Sequence, residues 1–471
     1  MLQQNSAQVV RTRIAPSPTG DDIHIGTLQA CLFNLAVARK NNGKFIVRIE
    51  DTDRQRLVEG AEEKYLKTLK SYNVNYDEGP DVGGEFGPYR QSERLDIYKK
   101  YVEDLIQKAV AYYCFCTKER LIELREQQIK ENKKTKYDKF CLLNVKNTKE
   151  RIKKNDPYVI RLNVLPDKKM WFKDLIRGQI TIDSSEIDDQ VLLKSDGFPT
   201  YHLAVVIDDH FMKITHIIRG EEWISSTPKH VLLYEAFGWE QPIFAHTPLL
   251  RNPDKSKLSK RKNPVWASWY LEQGILPEAM LNYLALLGWS HPDEKEIFSL
   301  DEFIKLFDLK DVKPVGPIFD PVKLKWMNQQ YIQKASDGEL KKLILDFTPT
   351  AKNLPVETLD KLIPLLKSRM ETLSDFEKLT GVFYDEFPDQ DFDEKEKKLA
   401  KNLLKELTNI TAWEKDALFD VLKKIMDNEK IRMPVFYKLL TGADRGLPLP
   451  ETLEILGAEK VTVRLKEIIG K

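Results

Sequence analysis

Two short segments far apart in the chain carry side chains suited to phosphate chemistry. Residues 22–27 contain His24, Gly26 and Thr27 at the predicted start of a helix, and residues 257–261 contain lysines around a serine. A helix N-terminus offers unpaired N–H groups and positive dipole density to an anion. Lysines in a loop can neutralise phosphate oxygens as a leaving group departs. Together these residue types favour a reaction at the phosphates of a nucleotide.

The usual nucleotide-binding signatures do not explain these segments. The sequence contains neither a P-loop nor a Gly-x-Gly-x-x-Gly fingerprint. A His-x-Gly alone is also compatible with a histidine that only caps a helix, and a lysine-rich pentapeptide with a solvated turn. The surrounding segments must therefore decide between these interpretations.

Residues 9–50 predict one βαβ unit that places the first segment. A strand over residues 9–15 leads to a helix that begins near Ile25 and ends at Asn41-Asn42-Gly43, and a buried strand follows at residues 45–49. The helix has apolar residues at helical spacing, namely Leu28, Cys31, Leu32 and Leu35. This pattern is typical of the opening of a parallel α/β sheet.

Charged and hydroxyl side chains follow both predicted strands. Arg13 and Ser17 come at the end of the first strand, and Glu50 follows the second. Parallel sheets bind ligands at the carboxyl ends of their strands, so these groups should meet in one crevice. An amino acid, which has an ammonium and carboxylates, needs this mixture. The alternative is a structural ion pair between Arg13 and Glu50.

Two further segments join the first ones. Residues 197–204 contain Tyr201, and residues 218–223 contain Arg219. With residues 11–20 and 48–53, the whole series resembles the bacterial-type glutamyl-tRNA synthetases, which are class I aminoacyl-tRNA synthetases. Residues 24–27 match the HIGH-type motif of that class, and residues 257–261 match its KMSKS-type loop.

The resemblance implies roles for individual residues. The residues implied for ATP are His24, Gly26, Thr27, Lys257, Ser259 and Lys260, of which His24, Lys257 and Lys260 would be catalytic by stabilising phosphate charge. The residues implied for glutamate are Arg13, Tyr201 and Arg219 at its side-chain carboxylate, with Ser17 and Glu50 at its ammonium. The implied reaction is ATP-dependent, Mg²⁺-assisted ligation of L-glutamate to tRNA-Glu through a glutamyl-adenylate.

The implied fold is a Rossmann-like α/β catalytic domain with an inserted α+β domain, followed by a stem-contact domain and an all-α anticodon-binding region. We place the catalytic domain at residues 1–90 and 200–250 and the acceptor-stem-binding insertion at residues 91–199. The stem-contact domain would cover residues 251–336. Helical spacing of apolar residues predicts an all-helical region over residues 337–471.

Three cysteines in the insertion suggest a metal site. Cys114 and Cys116 precede Cys141, and some bacterial glutamyl-tRNA synthetases resemble this chain in having a zinc knuckle there. Zn²⁺ in a structural site takes four ligands. Tyr137 could be the fourth, since Leu143 stands where a histidine would complete the set. The alternative is three free thiols without Zn²⁺.

Arg369 is the residue that the resemblance assigns to anticodon reading. In the family, an arginine on a helix of this region contacts the last anticodon base, and an arginine fork can pair with an unstacked base edge. Arg369 favours charging of tRNA-Glu alone. The enzyme alternative is a non-discriminating form that also charges tRNA-Gln. An alternative of another class is a catalytically silent tRNA-binding regulator.

Composition sets broad limits. The 471 residues include 74 basic and 73 acidic side chains, so net charge indicates no nucleic-acid partner and any RNA contact must use local patches. The sequence has no secretory signal and no apolar run long enough to span a bilayer. Four cysteines do not make a disulfide framework. We therefore expect a cytoplasmic monomer that contacts neither DNA nor membranes.

Overall fold

The computed structural model describes residues 9–258, 264–384 and 390–470. The chain forms two compact units, Met1–Trp269 with Leu281–Asp320 and Tyr270–Met280 with Pro321–Lys471. The strands are β1 (Arg11–Ile14), β2 (Lys44–Val47), β3 (Ala111–Cys114), β4 (Val159–Leu162), β5 (Lys169–Asp174), β6 (Gly178–Asp183), β7 (Val191–Leu193), β8 (His216–Gly220) and β9 (Ile243–Thr247). Among the helices in the described ranges, none combines the length and apolarity that crossing a bilayer requires.

The α-helices occur in both units. In chain order they are α1 (Ile25–Lys40), α2 (Ala61–Ser71), α3 (Leu95–Gln107), α4 (Lys118–Lys130), α5 (Phe140–Asn144), α6 (Thr148–Lys153), α7 (Tyr201–Phe211), α8 (Thr227–Phe237), α9 (Ala267–Glu272), α10 (Pro277–Leu286), α11 (Leu300–Leu306), α12 (Pro321–Lys334), α13 (Asp337–Phe347), α14 (Val356–Lys367), α15 (Asp375–Thr380), α16 (Glu394–Thr408), α17 (Lys415–Glu429), α18 (Met433–Thr441), α19 (Leu449–Leu456) and α20 (Ala458–Gly470). Short 3₁₀ helices cover Gln91–Arg94, Ser184–Glu186, Glu221–Ser226, Leu309–Asp311, Pro349–Asn353 and Gly381–Phe383.

The first unit contains a six-stranded sheet in the order β2-β1-β8-β9-β5-β6. The pairs from β2 to β5 are parallel, and β6 is antiparallel to β5. The carboxyl ends of β1, β2, β8 and β9 therefore share one edge. That edge is where a parallel sheet leaves a crevice for ligands, and it receives the segments that the sequence singled out.

Helix α1 confirms the predicted βαβ opening. It begins at Ile25 and ends at Lys40, and β1 and β2 on either side of it are parallel. The predicted apolar positions of this helix are buried. Asn42, just past the helix end, has a φ of 50°, the left-handed conformation that Asn tolerates better than most residues.

The insertion differs from the prediction. Strands β3, β4 and β7 form a separate antiparallel sheet, but β5 and β6, residues 169–183, extend the main sheet instead. In β5, Met170, Phe172 and Asp174 are buried while the intervening side chains are exposed, and Asp174 pairs with Phe244 of β9. This one-sided burial suits a hairpin at the edge of the main sheet. Residues 201–207 form part of helix α7.

The second unit confirms the predicted helical C-terminal region. The regular elements described after residue 320 are helices, and α13 begins at Asp337 with a capping box between Ser336 and Glu339. Two apolar clusters stabilise these helices, one around Leu362 and one around Leu422. Residues 251–336, predicted as one domain, are instead divided between the two units.

Candidate active site

A cavity of about 1140 Å³ opens at the carboxyl edge of the main sheet. The predicted residues that line it are Arg13, Ser17, His24, Gly26, Thr27, Glu50, Tyr201, Arg219 and Lys257. They come from the ends of β1, β2 and β8, the starts of α1 and α7, and the segment after β9. Ser259 and Lys260 lie outside the described residues. The structure therefore brings the described part of the predicted site into one place.

His24 is the N-cap of helix α1. Its Nδ1 accepts a hydrogen bond from the Gly26 N–H at 3.0 Å, so the helix-cap interpretation is correct. The same side chain lines the cavity, and the cap therefore does not exclude a role at a phosphate. A Cβ added at Gly26 would approach His24 Nδ1 to 3.3 Å, which explains why glycine suits this position.

The described residues at the start of the KMSKS-type loop, residues 257–261, and after it lie at the cavity. At the start of the loop, Lys257 forms a β-bridge with Arg251. After it, Trp266 forms a β-bridge with His24, and the Ile25 N–H donates to the Val265 carbonyl at 2.8 Å. Lys257 and Trp266 both line the cavity. The helix start and the flanks of the loop are thus neighbours, although the sequence separates them widely.

Buried ion pairs hold Glu50 and Arg13. Asp209 accepts from Arg13 Nε at 3.1 Å and from Arg48 Nη1 at 2.7 Å, and Arg48 Nη2 donates to Glu50 at 3.2 Å. The alternative of a direct Arg13–Glu50 ion pair is wrong, because Arg13 pairs with Asp209 instead. Asp208 extends the cluster by accepting from Arg94 Nε at 2.7 Å.

Burial and the neighbouring guanidinium groups have opposite effects on the pKa values of Glu50 and Asp209. Burial raises the pKa of Glu50 to about 7, although Arg48 and Arg13 act to lower it. At Asp209 burial also raises the pKa, but Arg13 and Arg48 outweigh it and the pKa falls below its ordinary value. Asp209 thus remains a fixed anion, while Glu50 is poised to gain or lose a proton near neutral pH.

Arg219 is held by neutral partners. Its Nη1 donates to the Tyr201 hydroxyl at 2.8 Å, its Nη2 to Thr227 Oγ1 at 2.8 Å and its Nε to His246 Nε2 at 3.1 Å. Burial raises the pKa of Tyr201, so its hydroxyl stays protonated. Both Nη atoms also lie 3.5 Å from His230 Nδ1, a long contact that a carboxylate in the cavity can replace as acceptor.

The sequence analysis missed the residues behind this lining. It assigns no role to Arg48, Asp209, Asp174 or His246. One available signal was position, because His246 is near the carboxyl end of β9 and pairs in register with Arg219 of β8. For Asp174 we find no comparable signal, since the sequence does not indicate which sheet its strand joins.

The predicted metal ligands also come together. The sulfur atoms of Cys114, Cys116 and Cys141 lie within 4.8 Å of one another. The Tyr137 oxygen is 3.4 Å from Cys114 Sγ and 3.2 Å from Cys116 Sγ. A tetrahedral Zn²⁺ with Zn–S bonds of about 2.3 Å places its sulfurs about 3.8 Å apart, so the cluster has a suitable size. Leu143 is 69% exposed and takes no part.

Two arginines lie beside this cluster, and the pKa values of two of its thiols shift in opposite directions. The Arg120 Nη1 lies 3.5 Å from Cys116 Sγ, and the Arg161 guanidinium lies 4.2 Å from the centre of the Tyr137 ring. Burial raises the pKa of Cys114, but hydrogen bonds from Tyr137 and Arg161 outweigh it and lower that pKa overall. Burial also raises the pKa of Cys116 to about 12. The donor set therefore favours a thiolate at Cys114 and needs a metal to deprotonate Cys116.

Arg369 is exposed on the second unit. It lies just after α14, which ends at Lys367, so the expectation of an arginine within a helix is wrong in this detail. Its charge acts on Tyr437, whose hydroxyl donates to the Leu447 carbonyl at 2.7 Å. The turn that holds Arg369 is thus electrostatically linked to the loop over residues 441–448.

Family profiles match nearly the whole chain. The profile described as "tRNA synthetases class I (E and Q), catalytic domain" matches residues 9–326, and the "Anticodon binding domain" profile matches residues 330–469. The boundary between them, at residues 326–330, falls within α12. Both matches agree with the two kinds of architecture in the structure.

Individual relatives give the same assignment. A glutamate–tRNA ligase of Fusobacterium nucleatum is 44% identical over 98% of this chain and 98% of its own length, and one of Cellvibrio japonicus is 44% identical over 98% and 93%. The crystal structure of a glutamate tRNA ligase from Elizabethkingia meningosepticum in complex with its amino acid has a TM-score of 0.87 at 36% identity, over 98% of this chain and 100% of that one. The chain belongs to the glutamate–tRNA ligase family of class I aminoacyl-tRNA synthetases.

Proposed function

We propose that this chain joins L-glutamate to tRNA-Glu through a glutamyl-adenylate, consuming ATP and releasing AMP and pyrophosphate. The observation that carries the proposal is the single cavity that gathers cationic, anionic and hydroxyl groups from distant segments. Such a cavity can align an amino-acid carboxylate with a nucleotide phosphate, and alignment supplies much of the rate of such a transfer.

The amino acid would be held at both ends. Arg13, Tyr201 and Arg219 would bind its side-chain carboxylate, and Ser17 and Glu50 would bind its ammonium. Glutamine has nearly the same shape but no charge, so it would leave the buried guanidinium groups underpaired. In support of this assignment, these side chains line one cavity and Arg219 already donates to the Tyr201 hydroxyl.

The nucleotide would lie at the start of α1. His24 and the helix N-terminus would bind phosphate oxygens, and Gly26 and Thr27 would lie beneath the adenosine. The glutamate α-carboxylate would attack the α-phosphorus, and pyrophosphate would leave toward Lys257, Ser259 and Lys260. Mg²⁺, when bound to the phosphates, supplies further charge neutralisation.

The direct test is aminoacylation with labelled glutamate and purified tRNA-Glu and tRNA-Gln transcripts. We expect charging of tRNA-Glu alone, which Arg369 supports. Equal charging of both would establish the non-discriminating form instead. Pyrophosphate exchange dependent on glutamate, measured with and without tRNA, would show whether tRNA must bind first. An absence of glutamate charging with both transcripts would favour the silent regulator and overturn the proposal.

We also propose that the three cysteines bind one Zn²⁺ with Tyr137 as the fourth ligand. The spacing of the sulfur atoms and the two nearby arginines support this, since a site with three thiolates carries net negative charge. Burial raises the pKa of the Tyr137 phenol, so its deprotonation would depend on the bound Zn²⁺. Metal analysis of the gently purified protein tests this, and a zinc-to-protein ratio near zero would contradict it.

The remaining partners follow from the domain assignments. Residues 91–199 would bind the acceptor end of the tRNA, residues 251–336 its stem, and residues 337–471 its anticodon. We propose that the protein acts in the cytoplasm as a monomer, without DNA or membrane partners. The described cysteines are all free, as a reducing compartment requires. Size-exclusion chromatography with light scattering tests the monomer, and a dimer mass would contradict it.

A further inference from the structure

Two buried side chains lie directly behind Arg219. Asp174 ends β5 and His246 is in β9, and they are 1% and 0% exposed. His246 Nδ1 is 2.6 Å from Asp174 Oδ2, and His246 Nε2 accepts from Arg219 Nε at 3.1 Å. Neither residue lines the cavity, so any effect on a ligand would pass through Arg219.

The geometry determines where the proton of His246 lies. An arginine Nε–H can only donate, so His246 Nε2 must present a lone pair. The ring proton is then on Nδ1, where it points to the Asp174 carboxylate. A carboxylate in this position holds one tautomer and one orientation of the ring. His246 is therefore neutral, in agreement with the lowering of its pKa by burial.

Asp174 is itself held by backbone groups. Its Oδ1 accepts the N–H groups of Ile176 and Arg177 at 2.9 Å each, and its Oδ2 accepts the N–H of His246 at 2.9 Å. Burial raises its pKa, but these bonds and His246 lower it overall, so the group stays ionised. Asp174 is thus a fixed acceptor for the His246 Nδ1–H, and His246 Nε2 is left to accept from Arg219 and from the Thr227 hydroxyl at 3.1 Å.

The two arginines of the cavity differ in their buried partners. Arg13 uses its Nε to pair with Asp209, an anion, whereas Arg219 uses its Nε to bond His246, a neutral ring. The other partners of Arg219, namely Tyr201, Thr227 and His230, are also neutral, since burial lowers the pKa of the His230 ring. The charge of Arg13 is therefore compensated within the protein, while that of Arg219 is left for a ligand.

We propose that Asp174 and His246 are positioning residues that fix the plane of Arg219 and leave its positive charge to be neutralised by the side-chain carboxylate of glutamate. The inference rests on the proposed function. It assigns the rejection of glutamine mainly to Arg219, because an uncompensated buried charge disfavours a neutral ligand more strongly than a compensated one does.

The experiment compares His246→Asn, His246→Gln and Asp174→Asn in the full chain by steady-state aminoacylation of tRNA-Glu. Asparagine is too short to accept from Arg219, so we expect the KM for glutamate to rise by about tenfold or more, as for a misplaced binding group. Glutamine can place an amide oxygen near the position of Nε2, and we expect the KM to stay within about threefold of wild type. Asp174→Asn should resemble His246→Asn, because the ring loses its tautomeric constraint.

The readouts separate positioning from general damage. We expect the KM for ATP and for tRNA to be unchanged in all three variants. In His246→Asn, the ratio of the inhibition constant for L-glutamine to the KM for glutamate should fall. His216→Asn is the matched control, since His216 is at the opposite end of β8 from Arg219, and it should change none of these values. If His246→Asn does not fold, Asp174→Asn and His246→Gln still give opposite predictions.

Each outcome decides the proposal. A wild-type protein that does not charge glutamate would overturn the proposed function, and this inference with it. A wild-type protein that charges glutamate, with an unchanged glutamate KM in both His246→Asn and Asp174→Asn, would overturn the inference alone. A fall in kcat together with a similar rise in the KM of every substrate would also overturn it, because that result would indicate a structural role only.

Discussion

The cavity of the first unit and the Arg369 surface of the second unit present arginines in different ways to the ligands proposed for them. In the cavity, Arg13 and Arg219 are buried and each is fixed through Nε by an acceptor behind it. Arg369 is exposed in a turn that follows a helix. A preorganised group loses little freedom on binding, whereas an exposed side chain must be ordered by its partner. Substitutions in the cavity should therefore cost much more than those on the surface.

The largest effect should come from Arg219→Leu. The substitution removes the proposed carboxylate ligand and leaves His246 and Tyr201 without their partner. We expect kcat/KM for glutamate to fall by about a hundredfold or more, or about 3 kcal/mol, as for the loss of one member of a buried charge pair. Steady-state aminoacylation with varied glutamate measures it. Arg151→Leu, in a half-buried ion pair with Asp156 that does not line the cavity, is the control, and an equal loss in both variants would contradict the assignment.

The next largest effect is a pH dependence of the KM for glutamate, which we expect from the cavity and not from the Arg369 surface. The ionised form of Glu50 is needed for the substrate's ammonium, and burial raises the pKa of this carboxyl to about 7. The KM for glutamate should therefore rise as the pH falls below about 7, by up to about tenfold per pH unit. Rates from pH 6 to 8.5 measure it. A KM for glutamate that is flat across this range would contradict the proposed role of Glu50.

The same shift predicts a change in stability. The folded-state pKa of about 7 lies above the ordinary value of 4.5, so the folded protein binds this proton more tightly than the unfolded chain. Its contribution to stability is complete below about pH 4.5 and is lost as the pH rises through about 7. Glu50→Gln should therefore be more stable than wild type at pH 8 while binding glutamate more weakly. Urea unfolding at pH 8 measures this, and lower stability of the variant would contradict it.

A smaller effect on activity is expected at the thiol cluster, which lies in the first unit but does not line the cavity. Cys141→Ser should reduce bound zinc from about one per chain to near zero, because a structural site requires its thiolates. Pyrophosphate exchange should persist. Cys31→Ser is the matched control, since Cys31 is buried away from the cluster beside Tyr65. Equal zinc in the wild type and both variants would contradict the proposed site.

The smallest effect should come from Arg369→Ala. We expect about a tenfold rise in the KM for tRNA-Glu, typical of an arginine that reads a base, with the KM for glutamate and ATP unchanged. Discrimination against tRNA-Gln should fall in parallel. Arg432→Ala removes another exposed arginine of the same unit. If both variants weaken tRNA binding equally, Arg369 contributes general charge rather than base recognition.

The same contrast explains what the sequence could predict. The convergence of Arg13, Glu50 and Arg219 could be predicted, because each lies in or just after the carboxyl end of a parallel strand and such ends share an edge. The all-helical second unit could also be predicted, since its apolar residues recur at helical spacing. In both cases local patterns are enough.

The supporting layer of the cavity could not be predicted in the same way. Asp209 acts through contacts with Arg13 and Arg48, and Asp174 acts through His246. These partners are remote in sequence, and no spacing rule connects them. The β5–β6 hairpin shows an alternating pattern, but that pattern does not indicate which sheet it joins. The division of residues 251–336 between two units likewise depends on tertiary packing rather than on local periodicity.

The most direct test of the central claim is a crystal structure with a non-hydrolysable glutamyl-adenylate analogue. We predict that its side-chain carboxylate contacts Arg13 and Arg219, its ammonium contacts Glu50, and its adenosine lies over Gly26. An analogue bound outside this cavity, or one whose side-chain carboxylate contacts neither arginine, would contradict the account.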